Sequence, residues 1–391
     1  MGVPMEYIMK RRKTMNPELN NIRESLNEID DEMLSLLKKR QKLSESIYRA
    51  KKGTLAPIYM LQQENQKIAA LDDIDDDIRN VGKPFLKTVM RLSREKQYHM
   101  ARKDDPYWKL GLQILQSQKE RPSILTIATQ GNTGSYSYKA AKNLHPDSAI
   151  ITFPTFESAC TQVIEGNVDA AVLPLENSTA GTVDEVYGLL DSNKLYITET
   201  TGIEIRHHLM GVKGSSLESI ETVISHPQAL AQCSSFIQSM GWKTEISGNT
   251  AFAAKEVQKR NSLLMAAIGS EEAARNNGLE LIMSEISNVV HNQTRFVLLS
   301  ALPYIAEDAN TCSLVIRLAH EPGSLSALLS LFSDRDISLS RILSRPVPKK
   351  PWEYTFHIDC NMSPTDESAL DLLYQLEQET LYMHIIGWYK E

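Results

Sequence analysis

The chain has 391 residues, a hydrophobic fraction of 42%, a charged fraction of 23% and a formal net charge of −7. This length allows two or three domains with well-filled cores, and the acidic balance argues against a general nucleic-acid-binding protein. No apolar run reaches transmembrane length, and the four cysteines lack metal-ligand spacing, so we expect a cytoplasmic protein with reduced thiols, no membrane partner, no metal and no cofactor.

The first residues are basic but lack the apolar core and cleavage site of a signal peptide. We predict a disordered extension over residues 1–14, and Met15 offers an alternative start.

A long helix is predicted from Asn16 to about Lys52. Its apolar residues recur in alternating steps of four and three, as in helices that pack on other helices. They are Ile22, Leu26, Ile29, Met33, Leu36, Leu43, Ile47 and Ala50. Arg40 occupies the remaining position of this stripe, where a buried cation is costly unless an anion pairs with it. Arg40 is therefore either an anion ligand or a residue that sets the helix register.

Two further helices are predicted, Met60–Leu71 and about Pro84–Arg102, separated by an acidic turn at residues 72–77. Ser93 and Gln97 lie one turn apart on one face of the last helix. Three helices with one very long member cannot bury the long apolar stripe, so an intertwined dimer is expected.

The run IRESLNEIDDEMLSLLKKRQKLSESIYRAKK, followed by QQE and SREKQ, resembles the all-helical chorismate mutases. The resemblance implies a dimeric three-helix domain over residues 15–103 that rearranges chorismate to prephenate. It implies that two arginines hold the substrate carboxylates, one of them from the partner subunit, and that a lysine and a glutamine donate to the ether oxygen. The implied site residues are Arg23, Arg40, Lys51, Met60, Glu64, Ser93 and Gln97. Met60 and Gln63 stand where the family usually has an acid and an arginine.

After a predicted linker over residues 104–122, short apolar runs alternate with helical stretches. This pattern predicts two βαβ lobes with a cleft between them, and a strand at Arg295–Leu299 that returns to the first lobe.

The stretch from Asp169 to Leu190 carries the most polar of the predicted loops. We predict a strand at residues 170–173, a break at Pro174, and a helix capped by Thr182. A strand that ends in such a turn and feeds a helix favours an anion pocket at the carboxyl end of the sheet, although an ordinary βα loop has the same pattern. His226, before Pro227, is interpreted as a structural turn residue.

The motifs GNTGSYS, LPLENS, SHPQ and TRF, in this order, resemble the prephenate dehydratases. The resemblance implies a two-lobed, periplasmic-binding-like α/β domain over residues 123–301 that converts prephenate to phenylpyruvate, CO2 and water. It implies that Thr294 is catalytic. The residues assigned to the substrate cleft are Glu176, Asn177, Ser178, Gln228, Thr294 and Arg295. We expect Thr294 to supply or relay a proton, with help from Glu176 or a water, while Arg295 holds the anion.

The last segment, residues 310–391, shows a β-α-β-β-α-β order, which is ferredoxin-like. It resembles the ACT domain that binds phenylalanine in bifunctional dehydratases. The residues that match its ligand loops are Gly323, Ser324, Leu325, Ser344, Arg345 and Pro346. Leu343 replaces the usual glutamate, and a dimerisation module without a ligand is the alternative.

Together these patterns predict a multidomain α and α/β homodimer or higher homo-oligomer that makes phenylpyruvate from chorismate through prephenate and is inhibited by phenylalanine. Two alternatives stay open at this point. One is a dehydratase whose helical domain only dimerises, and the other is a solute sensor without turnover.

Overall fold

The computed structural model of the chain describes residues 17–54, 56–74, 76–111, 114, 123–191, 194–289, 291–306, 308–347 and 353–391. The predicted extension over residues 1–14 lies outside the described residues, as does most of the predicted linker beyond residue 111. The chain divides into two compact units. The first comprises the residues up to Trp108 together with Leu373–Glu379, and the second comprises the remainder.

Three helices form most of the first unit: α1 over Pro17–Lys51, α2 over Leu61–Ala69 and α3 over Asp76–Lys103. Both α1 and α2 pack against α3. The predicted apolar stripe of α1 lies on the surface of this single chain, since Leu26 and Ile29 are each 54% exposed. A stripe of this kind is stable when another surface covers it, so the reason for expecting a second subunit remains.

The predicted start of the third helix near Pro84 was wrong, because α3 begins at Asp76. Asp76 and Asp77 occupy its first turn, where carboxylates interact favourably with the helix dipole. Pro84 lies inside the helix on an exposed position. The acidic residues that suggested a turn are thus partly the start of the helix itself.

The second unit opens with the first lobe of an α/β structure. Its elements are β1 (Thr126–Gln130), α4 (Tyr136–Leu144), β2 (Ala149–Phe153), α5 (Phe156–Ile164), β3 (Ala170–Asn177), β4 (Gly181–Thr182), α6 (Asp184–Leu190) and β5 (Tyr196–Glu204). Strand β1 pairs in parallel with β2 and β3. Because helices cover both faces, β3 is a nearly continuous apolar run, as expected of a buried parallel strand.

The elements of the second lobe are β6 (His208–Gly211), β7 (Thr222–Ser225), α7 (Pro227–Gln232), α8 (Ser234–Met240), β8 (Lys243–Ile246), α9 (Thr250–Arg260), β9 (Met265–Gly269), α10 (Glu271–Asn276) and β10 (Glu280–Met283). Its five strands form a sheet in the order β10-β6-β9-β7-β8. The chain then returns to the first lobe as β11, Gln293–Ser300, which lies between β5 and β3. The two-lobed prediction and the returning strand are confirmed.

The stretch around Pro174 folds differently from the prediction. Strand β3 does not end at Pro174 but continues to Asn177, and Pro174 falls where the register with β11 shifts. A proline is tolerated there because a bulge does not need its missing N–H. The residue before α6 is Val183, which provides no side-chain cap, and Thr182 instead donates to Asp184 Oδ1 at 3.2 Å. The predicted Thr182 cap was therefore wrong.

The C-terminal module follows the predicted order. Its elements are β12 (Thr311–Arg317), α11 (Ser324–Ser333), β13 (Leu339–Pro346), β14 (Tyr354–Asn361), α12 (Glu367–Glu379) and β15 (Tyr382–Tyr389). Its antiparallel strands lie in the order β13-β14-β12-β15. This is the ferredoxin-like arrangement that the sequence predicted.

The module's sheet is continuous with the sheet of the first lobe. Gly387 on β15 pairs with Ile197 on β5, so ten strands form one sheet. A Cβ at position 387 would lie 2.5 Å from the Ile197 carbonyl oxygen. Glycine is therefore required at this close approach, and the joint between the two sheets depends on it.

Candidate functional site

A cleft of about 420 Å³ separates the two lobes of the second unit. The helices α4, α7 and α9 begin at its edge, with Ser135, His226 and Asn249 as their capping residues. The backbone N–H groups at helix starts favour anions. These helices thus bring backbone N–H groups to the cleft, and Val183 and Glu185 at the start of α6, the helix after β3, line it as well. His226 accepts from Gln228 N at 3.3 Å, which agrees with its predicted structural role.

The floor of the cleft holds a closed circuit of side-chain hydrogen bonds. Asn177 Oδ1 accepts from the backbone N–H of Thr179 and Ala180 at 3.1 and 2.9 Å. Backbone N–H groups only donate, so the orientation of this amide is fixed. Its Nδ2 then donates to Asn292 Oδ1 at 2.6 Å, and Asn292 Nδ2 donates to Gln232 Oε1 at 3.1 Å. Gln232 Nε2 donates to Thr179 Oγ1 at 2.7 Å, and that hydroxyl donates back to Asn177 Oδ1 at 2.7 Å. We call this circuit the amide ring.

The amide ring determines which way the Thr294 hydroxyl points. The second hydrogen of Asn177 Nδ2 reaches Thr294 Oγ1 at 2.9 Å, so this oxygen accepts there. Thr294 lines the cleft and is only 7% exposed. Because one side of its oxygen is occupied by a donor, its own O–H is available to donate to a molecule in the cleft. The predicted catalytic threonine is thus placed as a hydrogen-bond donor.

His207 extends the amide ring into the cleft wall. Its Nε2 lies 2.9 Å from Gln232 Oε1, which can only accept, so Nε2 carries the proton. The other nitrogen, Nδ1, is buried without a hydrogen-bond partner among the described residues. Burial lowers the pKa of His207 below its ordinary value, so the imidazole is neutral near pH 7.

The six residues predicted for this cleft are divided between two cavities. Asn177, Gln228 and Thr294 line the cleft. Glu176, Ser178 and Arg295 instead line a second cavity of about 520 Å³.

The reason for this division is the alternation of side chains along a strand. Residues 176 and 177 are neighbours on β3, residues 294 and 295 are neighbours on β11, and the two pairs lie opposite each other. Neighbours on a strand point to opposite faces, so Glu176 is not placed to share proton transfer with Thr294, and Arg295 is not placed to hold an anion in the cleft. The placement predicted for these two residues was therefore wrong.

In the first unit, the predicted mutase residues gather where α1 meets α3. Arg40 Nη1 donates to Ser93 Oγ and, at 2.8 Å, to Val89 O. Gln97 Nε2 donates to Ser93 O at 3.2 Å, and its Oε1 is buried without a partner among the described residues. The side chains of Arg40, Ser93 and Gln97 therefore meet on one surface.

Lys51 and Glu64 belong to the same group. Lys51 Nζ donates to Pro57 O at 2.7 Å. Burial lowers the pKa values of both Lys51 and Arg40, and the charge of Glu64 raises both, so this carboxylate lies within electrostatic reach of the two cations. Met60 precedes α2 and offers its backbone, since its carbonyl accepts from Glu64 N at 3.1 Å.

Arg94 holds Glu64 in place and was missed in the sequence. Its guanidinium contacts both Glu64 oxygens at 2.5 Å, Glu379 Oε1 at 2.8 Å and the Tyr59 ring at 4.4 Å. Burial works against its charge, but the carboxylates of Glu379 and Glu64 raise the pKa of Arg94. Loss of one partner of a buried ion pair costs about 3–5 kcal/mol. No periodicity marked Arg94, because Glu379 is 285 residues away.

Arg23 is exposed on α1, in the part of that helix whose apolar stripe is uncovered. The structure of one chain therefore does not bring Arg23 to the other mutase residues.

The predicted effector residues lie at two places in the C-terminal module. Gly323, with φ of 90°, precedes α11, which starts with Ser324 and Leu325. Ser344, Arg345 and Pro346 end β13. Arg345 Nη2 donates to Asp184 O at 3.0 Å, and its Nη1 lies 3.3 Å from Asp191 Oδ2. Arg345 thus contacts the first lobe.

Sequence reasoning missed Gln232 and His207, which line the cleft, and Asn292 and Thr179, which belong to the amide ring. One signal for Gln232 was present, because it follows Gln228 by four residues and so lies on the same face of α7. Asn292 directly precedes β11, next to the TRF motif. Thr179 and His207 carried no local signal.

Two features are absent from the described residues. No group of three or more His, Cys, Asp or Glu side chains there is arranged to hold a metal ion. None of the helices in these ranges is long and apolar enough to cross a membrane.

Three family models match the chain. Residues 127–303 match prephenate dehydratase, residues 22–98 match chorismate mutase type II, and residues 313–378 match the ACT domain. The fold and the sites thus define an enzyme with a helical mutase segment, a two-lobed dehydratase segment and an ACT module.

Two of the curated relatives are bifunctional mutase/dehydratases that match almost the whole chain. The bifunctional chorismate mutase/prephenate dehydratase of Buchnera aphidicola subsp. Acyrthosiphon pisum is 30% identical over 381 residues, or 96% of this chain and 97% of the relative. The enzyme of that name from Enterobacter agglomerans is 30% identical over 387 residues, with coverage of 96% and 97%. Arogenate dehydratase/prephenate dehydratase 2 of Arabidopsis thaliana is 34% identical over 278 residues, with coverage of 68% and 73%. The chain belongs to the bifunctional chorismate mutase/prephenate dehydratase family.

Solved structures agree over part of the chain. Prephenate dehydratase from Arthrobacter aurescens in complex with L-Phe has a TM-score of 0.64 at 26% identity, and the match covers 68% of this chain and 90% of that one. GqqA, described as a novel type of quorum quenching acylase, has a TM-score of 0.62 at 28% identity, with coverage of 68% and 97%. The fold is thus shared with proteins of different described activities, and the assignment of function depends on the site residues.

The buried histidine predicts how stability depends on pH. Unfolded chains bind the imidazole proton near pH 6.5, whereas folded His207 binds it only at lower pH. Unfolding then takes up a proton, so the stability of the second unit should fall as the pH drops below about 6.5. Calorimetry from pH 7.5 to 5.5 should show this fall, and His207→Gln should reduce its slope. The exposed His291→Gln variant is the control, and an unchanged slope in His207→Gln would contradict the prediction.

Proposed function

We propose that the helical unit converts chorismate to prephenate and that the cleft converts prephenate to phenylpyruvate, CO2 and water. The observation that carries the dehydratase assignment is the Thr294 hydroxyl, which the amide ring leaves free to donate into the cleft. Membership of the bifunctional family supports both activities over a dimerising helical segment or a sensor without turnover.

The mutase reaction is a Claisen rearrangement, which needs no nucleophile and no proton transfer. It needs a dianion held in a compact conformer and donors where charge develops on the breaking C–O bond. In the proposed site, Arg40 and Ser93 hold a carboxylate, and Lys51 and Gln97 donate to the ether oxygen. The contact of Arg40 with Ser93 and the hydrogen bond from Gln97 to Ser93 O support this grouping. Glu64, fixed by Arg94, faces the ring hydroxyl. The hydrogen bonds that Lys51 now makes to backbone carbonyls are exchanged for bonds to the substrate.

The dehydratase reaction breaks two bonds of prephenate. The bond from the ring to its carboxylate releases CO2, its electron pair completes the aromatic ring, and hydroxide leaves from the opposite carbon. Thr294 donates a hydrogen bond to the departing oxygen and so stabilises its developing charge. The proton that turns hydroxide into water comes finally from solvent. Phe156, Pro174 and Phe296 provide the apolar wall against which the ring carboxylate is released.

The active species is proposed to be a homodimer or a larger homo-oligomer in which Arg23 of one subunit completes the mutase site of the other. Two features support this arrangement. The apolar stripe of α1 is uncovered in the single chain, and Arg23 lies on the same exposed part of that helix. A partner α1 that covers the stripe would bring its own Arg23 to the group around Arg40.

Mixed dimers test the shared mutase site. Arg23→Ala and Lys51→Ala should each lower mutase turnover by about 10²- to 10³-fold, because each removes a charged donor to the substrate. When the two variants are mixed by refolding or co-expression, half of the dimers should be heterodimers with one intact site, so about a quarter of wild-type turnover should return. Dehydratase turnover of the same samples is the control. No recovery on mixing would contradict a shared site.

The Thr294 hydroxyl can be tested by comparing two variants of similar size. Thr294→Val removes the donor and should lower kcat for phenylpyruvate formation by about 10²- to 10³-fold. Thr294→Ser keeps the hydroxyl and should retain activity within about tenfold. Mutase turnover should be unchanged in both. Normal phenylpyruvate production by Thr294→Val would refute the assignment.

The C-terminal module is proposed to bind phenylalanine through the turn at Gly323 and through Arg345. Arg345 now contacts Asp191 of the first lobe, so an effector carboxylate that pairs with this guanidinium competes with that contact. Binding of the effector would thus change how the module meets the dehydratase lobe, which is a coupling between two sites.

Isothermal titration tests the effector. L-phenylalanine should give a saturable heat with the full chain, and Arg345→Met should weaken its binding by about tenfold or more, because a carboxylate–guanidinium pair is lost. L-alanine serves as the control for recognition of the ring. Absence of any phenylalanine heat in the wild-type chain would remove this part of the proposal.

A further inference from the structure

Four charged side chains lie together on the face of the sheet opposite the cleft. Glu176 and Arg295 come from the cleft strands β3 and β11, and Arg341 and Asp359 come from β13 and β14 of the C-terminal module. Arg341 forms ion pairs with Glu176 and, at 2.7 Å, with Asp359. Arg295 Nη1 lies 2.8 Å from the same Asp359 oxygen, and Arg295 is the cross-strand partner of Glu176. We call these four residues the charge ring.

Two members of the charge ring are well enclosed, and the ring has further supports. The side chains of Arg295 and Asp359 are only 12% and 10% exposed. Arg295 Nη2 donates to the Tyr389 hydroxyl at 2.5 Å, and Ser313 Oγ donates to Asp359 Oδ1 at 2.5 Å. A guanidinium has a planar, fixed set of donors, so an arginine with several partners holds the attached strands in one geometry.

The charge ring lies directly behind the register pair Thr294 and Asn177. Thr294 faces Asn177 and Arg295 faces Glu176 in consecutive register positions of β11 and β3. At the next position the register shifts: Phe296 pairs with Pro174, and Leu175 is left in a bulge. A bulge interrupts the ladder of main-chain hydrogen bonds. Side-chain contacts on the reverse face therefore contribute more than usual to the relative position of the two strands at Thr294.

We propose that the charge ring is a positioning site for the dehydration reaction, in which Arg341 and Asp359 of the C-terminal module fix β3 and β11 and so set the distance between Thr294 and Asn177. The inference rests on the proposed dehydratase function and deepens it. The module then acts in the reaction even without an effector. A movement of β13 or β14 would change the position of Thr294 through the side chains of Arg341 and Asp359.

Arg341→Met tests the proposal in the full chain. Phenylpyruvate formation should lose about 10- to 100-fold in kcat, because small errors in the placement of a catalytic group are costly, while KM stays within about threefold. Arg341→Lys keeps the charge and should restore part of kcat. Mutase turnover should be unchanged. Glu176→Gln removes the ion pair between Glu176 and Arg341 from the other side. It should also lower kcat and leave KM nearly unchanged, and it replaces Arg341→Met as the test if that variant does not fold.

Lys390→Met is the matched control. Lys390 lines the same cavity as Arg341, but it forms its ion pair with Asp308. The side chains of Lys390 and Asp308 are mostly exposed. Its removal changes the local charge by the same amount without touching the charge ring, so kcat should stay within about twofold. A loss of kcat in Lys390→Met equal to that in Arg341→Met would show a general charge effect and overturn the proposal, as would normal kcat in both Arg341→Met and Glu176→Gln.

A readout that does not need turnover separates this inference from the proposed function. In methyl-labelled protein, the Thr294 methyl resonance, identified by its absence in Thr294→Ser, should shift in Arg341→Met and not in Lys390→Met. If the wild-type chain made no phenylpyruvate, the proposed function would fail, yet this shift would still support the positioning role. An unmoved Thr294 resonance in Arg341→Met would overturn it.

Discussion

The side-chain amide of Asn177 has a single orientation, because two backbone N–H groups, from Thr179 and Ala180, point at its oxygen. The direction of the other hydrogen bonds in the cleft floor, that is, which atom donates and which accepts, follows from that constraint. The amide nitrogen donates to Asn292 and to Thr294, and the remaining hydroxyl hydrogen of Thr294 is left for the cleft. A threonine hydroxyl can donate or accept equally well in isolation. Here its direction is decided by main-chain groups of the turn that follows β3.

In the helical unit, a charged side chain is likewise held in one orientation by a neighbouring group. Glu64 lies among the cations Arg40 and Lys51, where it could turn toward either, but Arg94 holds both of its oxygens from the other side. Arg94 is in turn held by Glu379. In each site, the orientation of one polar side chain is fixed by neighbouring donors: two backbone N–H groups for Asn177 and the guanidinium of Arg94 for Glu64. Such preorganisation lowers the reorganisation needed when a doubly charged substrate binds.

The alternation of strand residues explains why motif residues that are adjacent in sequence serve different ends. Thr294 and Arg295 share one motif, yet one faces the cleft and the other faces the C-terminal module, and the same holds for Asn177 and Glu176. The joint at Gly387 makes the two sheets one, so the module's strands lie within reach of the reverse face. A dehydratase lobe and a regulatory fold are thereby built as one continuous sheet, and side chains on the two faces of β3 and β11 carry separate tasks.

The sequence by itself determined the order of modules, the long helix with Arg40 in its stripe, the two lobes, the returning strand and the presence of Thr294 in the cleft, because these depend on local periodicity and on short motifs. Local pattern misplaced the start of α3 and the end of β3, where acidic residues and a proline have more than one structural use. Only the tertiary structure decided that Glu176 and Arg295 face away from the cleft, that Gln232 and His207 line it, and that Asn292 joins the amide ring. Those facts depend on which strands pair and on which face of each strand is buried. Contacts between residues far apart in the chain, such as 94 with 379 and 177 with 292, cannot be predicted from a short segment of sequence.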